Sequence, residues 1–136
     1  MNNSYLALLG LAKRASLLAL GDEASRTAIS AKSAKLLLIS ADASERTKET
    51  FAYLAENAEV LYIEISESRE ELGNALGKRP LSVVAICDVG MAAAVAKKLA
   101  EVNAGAREHL PALLLRAEKS NARRKKSAAR KRATKK

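Results

Sequence analysis

Apolar residues recur along this chain at two different spacings, and the alternation between them predicts the fold. Tyr5, Leu8, Leu9, Ala12 and Ala15 lie at helical spacing and predict a first helix, with Lys13 and Arg14 placed favourably near the negative end of its dipole. A short apolar strand over residues 17–20 follows it. GDEASRTAI, residues 21–29, then opens a second helix. Gly21 or Asp22 is its expected N-cap, two acids occupy its first turn, and Ala24, Ala28 and Ile29 form its expected buried side.

KLLLIS, residues 35–40, is a continuous apolar run bounded by polar residues, the pattern of a central strand covered on both faces. Asp42 with Glu45 three residues later reads as a capping-box-like start to a third helix, whose inner stripe is Thr47, Phe51, Leu54, Ala55 and Ala58. VLYIEI, residues 60–65, alternates: Leu61, Ile63 and Ile65 on one side, Tyr62 and Glu64 on the other, a strand with one wetter face. Ser68 and Glu71 make a second capping-box-like pair, opening a short helix that ends at Gly77. LSVVAIC, residues 81–87, is another doubly covered strand, and the helix after it puts Met91, Val95, Leu99 and Val102 on one face.

Strands separated by helices in this order predict an α/β protein with a largely parallel or mixed sheet between helix layers. No internal repeat is visible. The expected division is a domain over residues 1–103, a linker or short helix over 104–118, and a basic tail over 119–136. HLPALLLRA, residues 109–117, has enough leucine to pack on the domain or on a partner.

Composition narrows the chemistry. Apolar residues make up 49% of the chain against only 6 glycines and 2 prolines, so most of it should fold. No apolar run approaches the roughly 18–20 residues that span a bilayer, and no basic stretch precedes the first apolar one. The expectation is a cytoplasmic protein with no membrane partner. Cys87 is alone and sits in a strand-like setting, and His109 is the single histidine, so zinc sites and Ser-His-Asp triads lack partners. Neither a metal nor a cofactor is expected.

Charge separates the chain into two parts. Residues 1–118 hold 14 Lys/Arg against 15 Asp/Glu, a balance of −1, while residues 119–136 hold 10 Lys/Arg and no acid. Such a segment binds polyanions by releasing counterions, and arginine-rich segments order on RNA. A disordered or conditionally helical tail is expected. Arg123, Arg124, Lys125, Lys126, Arg130, Lys131 and Arg132 are its candidate phosphate contacts.

Three blocks, LLGLAKRASLLALGDEA, AKLLLISADASERTKETF and EELGNALGKRPLSVVAICDVGMAAAV, occur in an order and spacing that resemble the kink-turn RNA-binding ribosomal-protein superfamily. This is the group of ribosomal proteins L-seven-Ae, L-thirty-e and S-twelve-e with Gadd-forty-five, and the match is nearest its bacterial YlxQ-like branch. The resemblance covers residues 5–102. It implies a three-layer α/β/α sandwich with a mixed four-stranded sheet, and RNA gripped at one end of that sandwich. Carried over by position, the implied contacts are Gly21, Asp22, Glu23, Ala24 and Thr27, then Ser40, Ala41 and Asp42, then Lys78, Arg79, Pro80, Leu81 and Ser82. Where archaeal members show an Asn-Glu pair and a lysine, this chain has Glu23, Ala24 and Thr27, with Arg26 beside the last.

The physical chemistry of these positions suits RNA. A helix N-terminus offers unpaired N–H groups to phosphate, a carboxylate can accept from guanine N1–H and N2–H, and Leu81 can cover an unstacked base. Two other readings compete. Asp42 and Asp88 both follow apolar strands, where two acids could hold Mg²⁺ or serve acid–base chemistry; no nucleophile, phosphate loop or histidine accompanies them, so an enzyme is not expected. Alternatively the domain docks a ribosomal or regulatory protein and only the tail meets RNA. The favoured expectation is a monomeric, non-catalytic, ribosome-associated protein that recognises structured RNA, with ribosomal proteins as further partners.

Overall fold

The computed structural model describes residues 4–134, with side chains described from Tyr5 to Arg123. In chain order the elements are α1 (Ser4–Arg14), β1 (Leu18–Leu20), α2 (Asp22–Ser30), β2 (Leu36–Ile39), α3 (Glu45–Asn57), β3 (Leu61–Glu64), α4 (Arg69–Ala75), β4 (Val83–Ile86), α5 (Val89–Leu99) and α6 (Ala104–Thr134). The strands form one sheet in the order β1-β4-β2-β3. β2 and β3 run parallel, and β4 is antiparallel to both β1 and β2, so the sheet is mixed.

All four residues of β2 and all four of β4 are buried, because these inner strands have helices on both faces. Their side chains divide by the period-two rule of a strand. Leu36, Leu38, Val84 and Ile86 join α1, α4, α5 and α6 through Leu9, Leu72, Leu99 and Leu113. Leu37, Ile39, Val83 and Ala85 face α2 and α3 through Ile29, Phe51 and Ala55. The result is the expected three-layer α/β/α sandwich.

Several helix details differ from the sequence reading. Ser25, not Ala24, is buried on α2 alongside Ala28 and Ile29, and its hydroxyl faces the Ala19 carbonyl at 3.4 Å; the helix starts at Asp22, which turns Ala24 to solvent. Asp42 does not cap α3. Ser44 does, accepting from the Thr47 N–H at 3.1 Å. Ala58 is exposed as the C-cap of α3, and Val102 is exposed because α5 has already ended at Leu99. The Ser68–Glu71 capping box is fully formed.

Residues 104–118 are helical and packed. Ala106 and Leu113 are completely buried against the domain, and Asn103 clamps the start of α6 by accepting from the Ala106 N–H and donating to the Glu64 carbonyl. The backbone remains helical to Thr134, past the charge boundary at Lys119. Among the described residues no helix is long and apolar enough to cross a membrane.

α1, α2 and α3 end in one way. Leu17, Ser33 and Val60 each donate a backbone N–H back to the carbonyl five residues earlier, at 2.8–2.9 Å, with Ser16, Lys32 and Glu59 at positive φ just before them. These are Schellman ends built without glycine, and each places an L-residue in a region that costs about 1–2 kcal/mol. Ser16→Gly should therefore raise stability by up to about 1 kcal/mol after glycine's own entropy is subtracted, seen as a higher urea midpoint at unchanged m-value.

Candidate nucleic-acid interface

Sheet polarity gathers four connections at one end of the sandwich. Leu20 lies level with Val84 and Ile39 with Val83, while β3 ends beside β2. The turns after β1, β2 and β3 therefore meet the turn that enters β4. Backbone bonds join them: Gly21 N–H to Val83 O at 3.0 Å, Ser40 N–H to Ser82 O at 2.9 Å and Ala41 N–H to Glu67 O at 2.9 Å. All three stretches singled out in the sequence, 21–27, 40–42 and 78–82, are brought together here.

The individual residues have different standing. Gly21 is the N-cap of α2 at φ 90, a conformation suited to glycine, and provides no side-chain cap. The first intrahelical bond runs from Ser25 N–H to Gly21 O, so the N–H groups of Asp22, Glu23 and Ala24 have no partner within the helix. Asp22 is paired with Arg26 one turn on, and the Arg26 guanidinium lies 5.3 Å from the Phe51 ring centroid. The exposed Glu23 carboxylate has no ion pair among the described residues. Thr27 spends its hydroxyl on the Glu23 carbonyl at 3.1 Å. Leu20, Asp22, Glu23, Ala24 and Thr27 line a shallow depression of about 600 Å³.

Ser40 is completely buried, and its hydroxyl donates to the Leu81 carbonyl at 2.6 Å, so it shapes the end rather than facing outwards. Asp42 acts across the loops: its Oδ1 accepts from the Arg69 N–H at 2.7 Å and lies 3.5 Å from the Arg69 guanidinium. Arg69 in turn accepts the Leu81 N–H on its carbonyl at 3.0 Å. Lys78, Arg79 and Pro80 are exposed, Ser82 is half-buried, and Leu81 is nearly buried beside Gly21. Among the described residues, neither Lys78 nor Arg79 is in an ion pair.

Four contributors escaped the sequence reading. Arg69 links two loops, Lys48 reaches from α3 to Glu64 at 2.6 Å and to the Ala41 carbonyl at 3.0 Å, Glu67 holds a buried oxygen, and Gly73 backs the 78–80 turn. Only Gly73 left a signal, since a glycine inside a helix often marks close approach of another backbone. The hydrogen bond to Glu64 raises the Lys48 pKa. Burial is the main cause that pushes the Glu67 carboxyl up, with Glu71 adding to it.

Asp88 lies elsewhere. It follows β4, whose Ile86 is level with Leu36, whereas Asp42 follows the opposite end of β2. The antiparallel strand thus separates the two acids that an Mg²⁺ site would need together. Asp88 caps α5 by accepting from the Met91 N–H at 2.8 Å. Among the described residues no cluster of three His, Cys, Asp or Glu forms a potential metal site. Cys87 is half-buried, with its thiol pushed up by burial, and His109 is half-buried on α6. Arg123 is exposed on α6; the side chains of Arg124, Lys125, Lys126, Arg130, Lys131 and Arg132 lie outside the described residues.

Two variants probe how this end is built. A Cβ at Gly73 would lie 2.3 Å from the Arg79 carbonyl oxygen, so Gly73→Ala should cost about 1–3 kcal/mol and shift the backbone amide signals of residues 78–81. Glu67 has a folded-state pKa above its unfolded value, so its contribution is fully present below the unfolded pKa and is lost as pH rises through the folded one. Glu67→Gln should therefore melt higher than the parent at neutral pH, and the difference should close below about pH 4.

A model of the ribosomal protein L7Ae/L30e/S12e/Gadd45 family matches residues 4–112. Among solved structures, a protein with unknown function from Bacillus halodurans C is 29% identical at a TM-score of 0.66, covering 71% of this chain and 96% of that one. A Giardia lamblia 15.5kD RNA binding protein is 23% identical at a TM-score of 0.58, covering 71% of this chain and 82% of that one, and shares the fold. No curated protein sequence matches the chain.

Proposed function

The chain belongs to the ribosomal protein L7Ae/L30e/S12e/Gadd45 family, and from that membership we propose a non-catalytic, ribosome-associated RNA-binding protein. It recognises structured, kink-turn-like RNA with the loop end of the sandwich, and its basic C-terminal segment adds phosphate contacts without sequence choice. The observation behind this is the convergence of two unlike chemistries at one end: free N–H groups and the unpaired Glu23 on α2, and the exposed cations Lys78 and Arg79.

Each has a role in the proposed contact. Phosphate oxygens accept from the N-terminal N–H groups of α2, where the helix dipole also favours negative charge. Glu23 accepts from a base edge, which carries selectivity, since phosphate contacts alone position without reading sequence. Lys78 and Arg79 neutralise the phosphate backbone, and the Leu81 that follows them is buried in the core and so anchors the turn that carries them, where the sequence reading had it cover an unstacked base. Asp22 is engaged by Arg26 and Thr27 by its own helix, so base reading falls to Glu23.

The test compares the full chain, a truncation lacking residues 119–136 and Glu23→Ala on a kink-turn RNA and a plain duplex. Truncation should weaken both RNAs and flatten the salt dependence, because each lost phosphate contact removes about 0.9 from the log–log slope on a duplex. Glu23→Ala should lower the preference between the RNAs by about 1–3 kcal/mol, the worth of one good base-edge contact. A truncated domain with no preference at any salt would sink site recognition by the loop end.

A further inference from the structure

At the sheet end opposite the loops, the C-terminal ends of α2 and α3 and one face of α6 enclose an open cleft of about 870 Å³. Five cations line it: Lys32 and Lys35 from the turn between α2 and β2, and Arg116, Lys119 and Arg123 from α6. The last three are spaced i, i+3 and i+7, which places them on one helix face. Ile29 and Val60 supply apolar lining, and Glu59 is the one carboxylate among the lining residues.

Cations near helix C-termini can serve only to offset the dipoles, and two of these do make such contacts. Lys35 Nζ donates to the Lys32 carbonyl and Arg116 to the Glu59 carbonyl, each at 3.4 Å. Magnitudes decide against that as a full account. Two helix C-termini amount to about −1 charge together, and Glu59 adds one more, against five cations. None of the five forms an ion pair with a carboxylate among the described residues. A positive excess is therefore held in a concave site, where field lines concentrate and polyanions accumulate. The basic sequence continues directly from Arg123 to the chain end, so the matching anion is a polymer rather than a single phosphate.

We propose that this cleft is a second RNA-contacting site, which grips a phosphodiester backbone apart from the segment held at the loop end. The inference rests on the RNA-binding reading above. α2 connects the two sites: its N-terminus forms the loop end and Ile29, near its C-terminus, lines the cleft. Nine residues span about 14 Å, close enough for one folded RNA to reach both sites and too far for one nucleotide. Lys32, Lys35 and Arg116 then act with the tail as a built groove, instead of the tail acting alone.

The experiment uses the full chain, a kink-turn RNA and a plain duplex, with affinity read by fluorescence anisotropy over a salt series. Lys32→Asn with Lys35→Gln removes two cleft cations far in sequence from the tail, asparagine being tolerated at the left-handed conformation of Lys32. Lys97→Gln with Lys98→Gln removes two exposed cations on α5 outside the cleft. The cleft pair should weaken both RNAs alike and lower the log–log salt slope by about 2, one per lost phosphate contact. The control pair should leave the slope nearly unchanged. Equal effects from the two pairs would overturn the cleft, as would a cleft pair that altered the preference between the RNAs. Failure of the unaltered chain to bind either RNA would instead remove the reading of function, and the inference with it.

Discussion

The antiparallel pairing of β2 with β4 is the constraint on which the remaining structure depends. All eight residues in the pair are buried, each worth about 1.5–3 kcal/mol where a whole Leu, Ile or Val side chain leaves water. A slip of one residue by either strand would send all four of its side chains to the wrong helix layer. Fixing this register also fixes where Ser40 meets Leu81 and Ser82, because they are the next residues along the two strands. The loop end is thus a by-product of core packing: its shape is set by the strands whose ends it joins.

That dependence explains how much was legible in the sequence. Element types were readable because KLLLIS and LSVVAIC have the unbroken apolar character of inner strands, and because Ser68 and Glu71 stand at capping-box spacing. Strand order and direction were not, since no local pattern distinguishes an antiparallel β4 from a parallel one. For the same reason Asp42 and Asp88 looked equivalent as strand-end acids, although the reversal of β4 puts them at opposite ends of the sheet. Within the candidate site, Glu23, Lys78 and Arg79 were singled out by resemblance, and all three are exposed at the loop end. The tie from Asp42 to Arg69 could not, because it spans 27 residues between two turns. For α6 the sequence left two points open, linker or short helix over 104–118 and domain or partner for the leucines of 109–117; Ala106 and Leu113 are buried in the domain core, with Leu110 and Ala117 packed against it.

The loop end contains many acids for a surface proposed to meet phosphate, and most of them are already engaged. Asp22 pairs with Arg26, Asp42 with Arg69 and Glu64 with Lys48, while Glu71 caps α4 and Glu67 is held toward its neutral form by burial. Such exposed pairs add only about 0–1 kcal/mol each to stability. Their larger consequence is electrostatic, because a carboxylate with a cation in contact repels an approaching phosphate far less than a bare one. Among the described residues Glu23 and Glu70 have neither an ion pair nor burial, and Glu23 stands beside unpaired helix N–H groups. A bare carboxylate is poorly suited to phosphate and well suited to the N–H edge of a base, so one turn of α2 can repel the backbone at one point while the helix N-terminus attracts it at another. Under the proposed function that opposition restricts which RNA geometry fits, and discrimination, rather than affinity, is then the property most exposed to change at this residue.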